Sequence, residues 1–339
     1  MEELLIYLPF LVPIVVANFA ERHRRSPYRT RDPRTNALLD SALRTLPYGL
    51  LIAINLGLLG IAALALLNSL AQMFMPELVG SGTSAVGWWV VAAACFLTSA
   101  LAFLPLIPAV RRWVARWLPI DPESIVHTTA LTFAIYQIGL SLGQMGLIGD
   151  LETLADVELA LTVWDVLLSG IPLALFALAG VGLLIRRGGR GTAKRLGLRR
   201  LTWKQLIAAV GVTILLLGFD AAVSLSWGEV DPAGYELLER VSESLFGGLT
   251  TATGALVLGL SAGISEELLF RGAVQPRLGL LLTAILFAIG HLQYGLTVAT
   301  LEVLVMGLVL GFIRRRTHTT MCILIHALYN TIGMLVVMA

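Results

Sequence analysis

Two carboxylates stand side by side at the end of an apolar run, in the stretch Ser265-Glu266-Glu267-Leu268-Leu269-Phe270-Arg271. Charged groups against hydrocarbon are costly and tend to be functional, so the pair needs a role. On a helix, successive side chains point about 100° apart, and the two glutamates therefore face different ways. Glu267 and Arg271 are four residues apart with the acid first, the favourable order for a helical ion pair. Glu266 is left without a local cation. A carboxylate that is poorly solvated and unpaired suits a general base working near neutral pH. The plainer reading is two solvated acids at a membrane interface.

The partners of such a base lie further along. Phe287-Ala-Ile-Gly-His291 falls in the next apolar run and His326-Ala-Leu-Tyr-Asn330 in the last. His291 follows Glu266 by 25 residues, room for a helix end, a turn and most of a returning helix. Phe287 lies one turn before His291 on the same face, where it can limit water entry. His326 and Asn330 are four apart and project from one face. A neutral histidine donates one N–H and an asparagine two, a suitable pair for a developing oxyanion. Taken alone, His291 reads equally well as a hydrogen-bonded core residue. The His326–Asn330 stripe also reads as a fastening between helices. Close-spaced zinc ligands of the His-Glu-x-x-His kind are absent, as are serine, cysteine and lysine nucleophile motifs. Ser265 is most simply bonded to its own helix backbone.

These residues must be positioned by membrane helices. Hydrophobic residues make up 57% of the 339, charged residues 14%, and the mean hydropathy is +0.83. A soluble domain of this length cannot cover so much apolar surface with so little charge, which places the chain among all-α polytopic membrane proteins. Candidate spans run over 4–20, 47–75, 86–109, 125–147, 160–185, 205–227, 246–267, 279–294, 297–313 and 319–338, about ten by the length a bilayer requires. Gly272, Pro276 and Gly279 predict a break between the seventh and the eighth. Met1-Glu-Glu-Leu-Leu lacks a basic n-region, so the first run reads as a retained helix. Cys95 and Cys322 both lie in apolar runs, which argues against a disulfide framework.

Basic residues cluster in every second connection: Arg22 to Arg44, Arg111 to Arg116, Arg186 to Lys204, Arg271 with Arg277, and Arg314 to Arg316. Of the 24 lysines and arginines only Arg240 falls in the alternate, acidic set. The positive-inside rule then puts both termini outside and the Glu266-Glu267 end of its helix at the cytoplasmic face. A net charge of +2 reflects these loops and gives no reason to expect nucleic-acid binding. Three regions are expected: an N-terminal membrane bundle over 1–185, a basic, glycine-rich cytoplasmic linker over 186–204, and a bundle over 205–339 that carries the polar constellation.

Together the motifs resemble the CAAX prenyl endopeptidases and bacteriocin-processing or self-immunity proteins, a group of intramembrane proteases. The family pattern of Glu-Glu-x-x-x-Arg, Phe-x-x-x-His and His-x-x-x-Asn stands here as Glu266-Glu267…Arg271, Phe287…His291 and His326…Asn330. The glycine-rich run Met306-Gly-Leu-Val-Leu-Gly311 is also similar, and the match covers about 245–335. The resemblance implies that Glu266 activates water with the help of His291. It makes His326 and Asn330 the oxyanion-stabilising pair, with Glu267 and Arg271 shaping the site. It implies an endopeptidase of the plasma membrane, open to the cytoplasm. Such an enzyme cleaves near the C-terminus or membrane junction of a peptide or lipid-modified protein, and its natural surroundings are membrane lipid.

No cofactor is required on this reading. The alternative is zinc held by Glu266, His291 and His326, with a metal-bound water as nucleophile. Two other functions fit the composition. One is a catalytically silent immunity or scaffold protein of the same family. The other is a transporter using intramembrane polar groups such as His127, Asp165, Asp220 and Glu302. One geometric difficulty stands: counted from Gly279, His291 lies about 18 Å along its helix, whereas Glu266 is expected at the cytoplasmic end.

Overall fold

The computed structural model describes residues 2–26, 30, 32–75, 83–148, 151–156 and 160–337. Among these the chain is helical and has no strand. The helices are α1 (Glu2–Arg25), α2 (Pro33–Phe74), α3 (Ala85–Ala102), α4 (Pro108–Val114), α5 (Ile125–Ile148), α6 (Leu151–Asp156) and α7 (Val163–Val181). They are followed by α8 (Gly189–Leu196), α9 (Trp203–Val230), α10 (Pro232–Phe246), α11 (Ala252–Glu267), α12 (Gln275–Ile289), α13 (Val298–Arg316) and α14 (Thr319–Val337). A π-helical turn, Leu268–Val274, joins α11 to α12.

Seven helical runs among the described residues are long and apolar enough to cross a membrane. The count of ten differs in three places. It includes the run at 4–20, which lies in α1, and the run at 297–313, which lies in α13 with Glu302 and three terminal arginines. It also divides Ala252–Ile289 in two. That division has a physical basis at Gly279, whose φ of 75° and ψ of 176° interrupt the helical backbone. The stretch expected to be a linker contains α8.

The chain forms two compact units. The first comprises Met1–Leu147, Leu175–Thr192 and Pro276–Gly279. Small residues let its helices approach, as where Ala62 and Ala65 of α2 pack on Val91, Ala92 and Cys95 of α3. Buried hydrogen bonds fasten the same helices: Tyr136 Oη donates to Asn55 Oδ1 at 2.6 Å, and Ser99 Oγ donates to the Asn55 carbonyl at 2.8 Å. Without water in the hydrocarbon, these polar groups need partners inside the protein.

The second unit comprises Ile148–Ala174, Ala193–Gln275 and Leu280–Ala339. Its apolar core gathers Ala209 and Leu216 of α9, Met306 and Leu310 of α13, and Met321, Cys322 and Ile325 of α14. Three glycines give it close helix approaches. A Cβ on Gly259 would meet Thr331 Oγ1 and stand 2.5 Å from the Ala327 carbonyl oxygen, and one on Gly263 would stand 2.9 Å from Ala327 N. Gly259 and Gly263 thus bring the backbone of α11 against that of α14, the packing that small residues at a four-residue spacing permit. Gly307 does the same for α13 against Ala284 of α12, where a Cβ would lie 3.3 Å from the Ala284 Cα.

Candidate active site

The stripe Gly259–Gly263 continues one turn on to Glu267, so the contact that joins α11 to α14 also delivers Glu267 to His326. His326 Nδ1 lies 3.1 Å from Glu267 Oε1, and Arg271 Nε lies 3.1 Å from Glu267 Oε2. Glu267 and Arg271 are both 0% exposed. The pairing anticipated from their spacing is therefore present, but its backbone is a π turn and not an α-helix. Such turns are uncommon and recur at functional sites.

Arginines from elsewhere hold the turn. Arg195 donates from Nη1 to the Gly272 carbonyl at 2.8 Å and from Nη2 to the Ala273 carbonyl at 3.3 Å. Arg314 Nε donates to the Arg271 carbonyl at 3.2 Å. Three successive carbonyls of the widened turn are thus satisfied from α8 and α13. Gly272 permits the approach of α8, because a Cβ there would stand 2.9 Å from Leu196 Cδ2. Sequence reasoning missed these contributions: Arg195 and Arg314 read only as orientation charges. The Gly259-x-x-x-Gly263 spacing was a usable signal for the helix contact.

Phe287 is the hub. Its buried ring lies 5.3 Å from the ring of Phe270, 4.8 Å from that of His291 and 5.9 Å from that of His326, centroid to centroid. The guanidinium carbon of Arg271 sits 4.7 Å above it, a cation–π contact. Phe287 therefore touches both histidines and the arginine, and keeps them apart at fixed distances.

Glu266, about 100° around the helix from its neighbour, meets a different partner. Its Oε2 lies 3.7 Å from His291 Nε2. The other ring nitrogen of His291, Nδ1, is 2.8 Å from the carbonyl oxygen of Phe287. A carbonyl only accepts, so Nδ1 carries the hydrogen and Nε2 of the neutral ring presents a lone pair to Glu266. Asn330 stands one turn beyond His326 on α14 and is partly exposed. The seven residues singled out in the sequence thus fall on α11, the π turn, α12 and its C-terminal end, and α14. Direct contacts join six of them.

Glu266 and His291 meet although Gly279 and a long stretch of chain lie between them. From Glu266 to Gly279 and from Gly279 to His291 the chain covers nearly equal helical lengths, about 20 Å and about 18 Å. The 3.7 Å approach of Glu266 to His291 requires the two arms to fold back on each other.

The remaining intramembrane polar groups have separate occupations. His127 Nδ1 accepts from the Asp121 N–H at 2.8 Å. Asp165 accepts from the N–H and hydroxyl of Thr162 at the start of α7. Asp220 accepts from Tyr329 Oη at 3.0 Å, and Glu302 keeps a buried Oε1 without a hydrogen bond. Ser265 Oγ donates to its own helix, at the Ser261 carbonyl. Outside the spans, burial holds His318 below the ordinary imidazole range, and the charges of Arg199 and Arg314 act in the same direction.

Among the described residues no group of three His, Cys, Asp or Glu side chains is arranged to hold a metal ion. Glu266 pairs with His291 and Glu267 with His326, and the guanidinium of Arg271 occupies the place beside Glu267.

Residues 248–332 match a family model described as type II CAAX prenyl endopeptidase Rce1-like. No curated protein and no solved structure matches the chain.

Proposed function

The chain carries a domain of the type II CAAX prenyl endopeptidase Rce1-like family, and from that premise we propose that it is an intramembrane endopeptidase using water activated by Glu266 and His291. The observation that carries this reading is the facing of Glu266 Oε2 and His291 Nε2 across 3.7 Å. Two acceptors at that distance are too far apart to share a proton directly and can be bridged by a water that donates to both. In the reaction Glu266 takes one proton from this water as its oxygen bonds to the scissile carbonyl carbon. His291 Nε2 accepts the second hydrogen bond and orients the attack. The tetrahedral oxyanion is received on the α14 side by Asn330 Nδ2 and His326 Nε2. Because His326 Nδ1 already faces Glu267, an Nε2–H makes the ring an imidazolium, which the Glu267 carboxylate at 3.1 Å balances. The C–N bond then breaks, and the proton held by Glu266 passes to the leaving amine. Arg271 holds Glu267 in place.

The substrate class is a peptide or lipid-modified protein cut near its C-terminus or membrane junction, presented within the plasma membrane. The site opens to the cytoplasm through the face that bears the basic connections, and both termini lie outside. A reporter fused after Ala339 is expected outside the cytoplasm and one inserted near Gly191 inside. The opposite result at both sites overturns the orientation.

Membrane peptides from cells with wild-type protein and with Glu266→Gln test the activity. Cleavage products should vanish in the variant, whose turnover should fall by about 10²–10⁴-fold, the usual contribution of a general base. On the metal-free reading, purified wild type keeps its activity after dialysis against a strong chelator. Products that persist in Glu266→Gln overturn the protease reading. Loss on chelation with recovery on adding zinc replaces the base by a metal centre.

A further inference from the structure

The connection between α3 and α5 is held by one of its own arginines. Arg111 turns inward: its Nη1 donates to the carbonyls of Pro105 and Leu106, both at 2.9 Å, and its Nε donates to the Pro122 carbonyl at 2.7 Å. These bonds tie the two ends of the connection together and fix α4 between them. Arg112 and Arg116, four residues apart, stay exposed. Trp113 and Trp117, with the same spacing, are 58% and 77% exposed. Among the described residues neither guanidinium pairs with a carboxylate. The next acid in the chain, Asp121, is engaged with Arg24 at 2.7 Å.

Two large indoles this open to water are costly, but at the headgroup level of a bilayer the same ring has an apolar body in lipid and an N–H toward water. The other five tryptophans also fall within the first or last two turns of α3, α7 and α9, the distribution of an interfacial belt. The pair on this turn differs in being interleaved with two unpaired arginines on a turn anchored by a third. Guanidinium groups bind phosphate through paired N–H donors. Charge complementarity, together with the adjoining indoles, selects a phosphate attached to acyl chains over a free anion.

We propose that the turn Arg112–Trp117 is a docking surface for an anionic phospholipid. Arg112 and Arg116 hold the headgroup phosphate, and Trp113 and Trp117 lie along the glycerol and upper acyl region. The inference does not depend on the protease reading.

Native mass spectrometry of the detergent-purified full chain, with phosphatidylglycerol and phosphatidylcholine added at equal concentration, tests it. Wild type should retain the anionic lipid preferentially. In Arg112→Gln/Arg116→Gln the preference should fall by about thirtyfold, from roughly fivefold per arginine near an anionic headgroup. Trp113→Ala/Trp117→Ala should weaken retention of both lipids. The control Arg315→Gln/Arg316→Gln, on another basic end, should keep the wild-type preference. Equal retention of the two lipids by wild type overturns the proposal, as does a preference that survives Arg112→Gln/Arg116→Gln. Equal loss in the control reduces the effect to general charge and also overturns it. Displacement of the bound lipid by millimolar inorganic phosphate points to a free-anion site and has the same consequence. Circular dichroism and elution volume establish that each variant is folded.

Discussion

His291 donates its Nδ1 hydrogen to the carbonyl oxygen of Phe287, 2.8 Å away, and that bond decides what His291 offers to Glu266. With Nδ1 committed, Nε2 is the acceptor, and the pair can grip a water from both sides. Phe287 therefore acts twice: its carbonyl selects the tautomer, while its ring spaces His291, His326 and Arg271.

The paired acids separate structure from chemistry. Glu267→Gln leaves Arg271, 0% exposed, without its anion. Removing one partner of a buried ion pair costs about 3–5 kcal/mol, so the variant should accumulate poorly and unfold at lower temperature in detergent. Glu266→Gln should accumulate as wild type and be inactive. Exchanging both partners, as Glu267→Gln/Arg271→Met, should recover part of the lost stability. Normal accumulation of both single variants, with only Glu267→Gln inactive, reverses the two roles.

Gly259 is expected to be intolerant for a steric reason. Gly259→Ala places a methyl group against Thr331 and the Ala327 carbonyl, pushing α14 away and His326 with it. Overpacking of this kind costs about 1–3 kcal/mol, and thermal unfolding should show it alongside reduced turnover. Gly211→Ala on α9, where no atom lies within 4 Å of the new carbon, is the comparison. It should match wild type or gain about 0.5–1 kcal/mol from helix propensity. Equal behaviour of the two variants contradicts the close contact.

His318 gives a pH dependence outside the spans. Burial, then the charges of Arg199 and Arg314, keep its folded-state pKa below the ordinary value of 6.5. The unfolded chain therefore binds the proton more readily. The stability contributed by neutral His318 is complete above pH 6.5, and it declines as pH falls below that value toward the folded pKa. Melting temperatures measured at pH 7.5 and 5.5 should differ less in His318→Gln than in wild type. An unchanged difference shows that other groups set the acid limit.

What the sequence made legible was what short spacing controls. Glu267 with Arg271, Phe287 with His291, and His326 with Asn330 each sit four residues apart, and a helical period alone puts each pair on one side. That the two glutamates meet different partners followed from the same geometry. Less visible was anything that depends on distant chain. The π turn rests on Arg195 and Arg314, which donate to its carbonyls from 77 and 43 residues away, and nothing in Leu268–Val274 announces a fifth-residue hydrogen bond. The approach of Glu266 to His291 also depends on distant chain. Between them lies Gly279, whose φ of 75° interrupts the helix.

That glycine makes the interval from Glu266 to His291 a ruler. Gly279 has open space around its Cα, with no atom within 4 Å of a built Cβ, so its requirement is the left-handed φ of 75° and not room. Two arms of nearly matched length leave it, and Glu266 and His291 face each other only while the residue counts agree. A single residue inserted in either arm would turn one partner by about 100° and shift it by about 1.5 Å. The stretch between the two motifs can therefore vary in composition far more freely than in length.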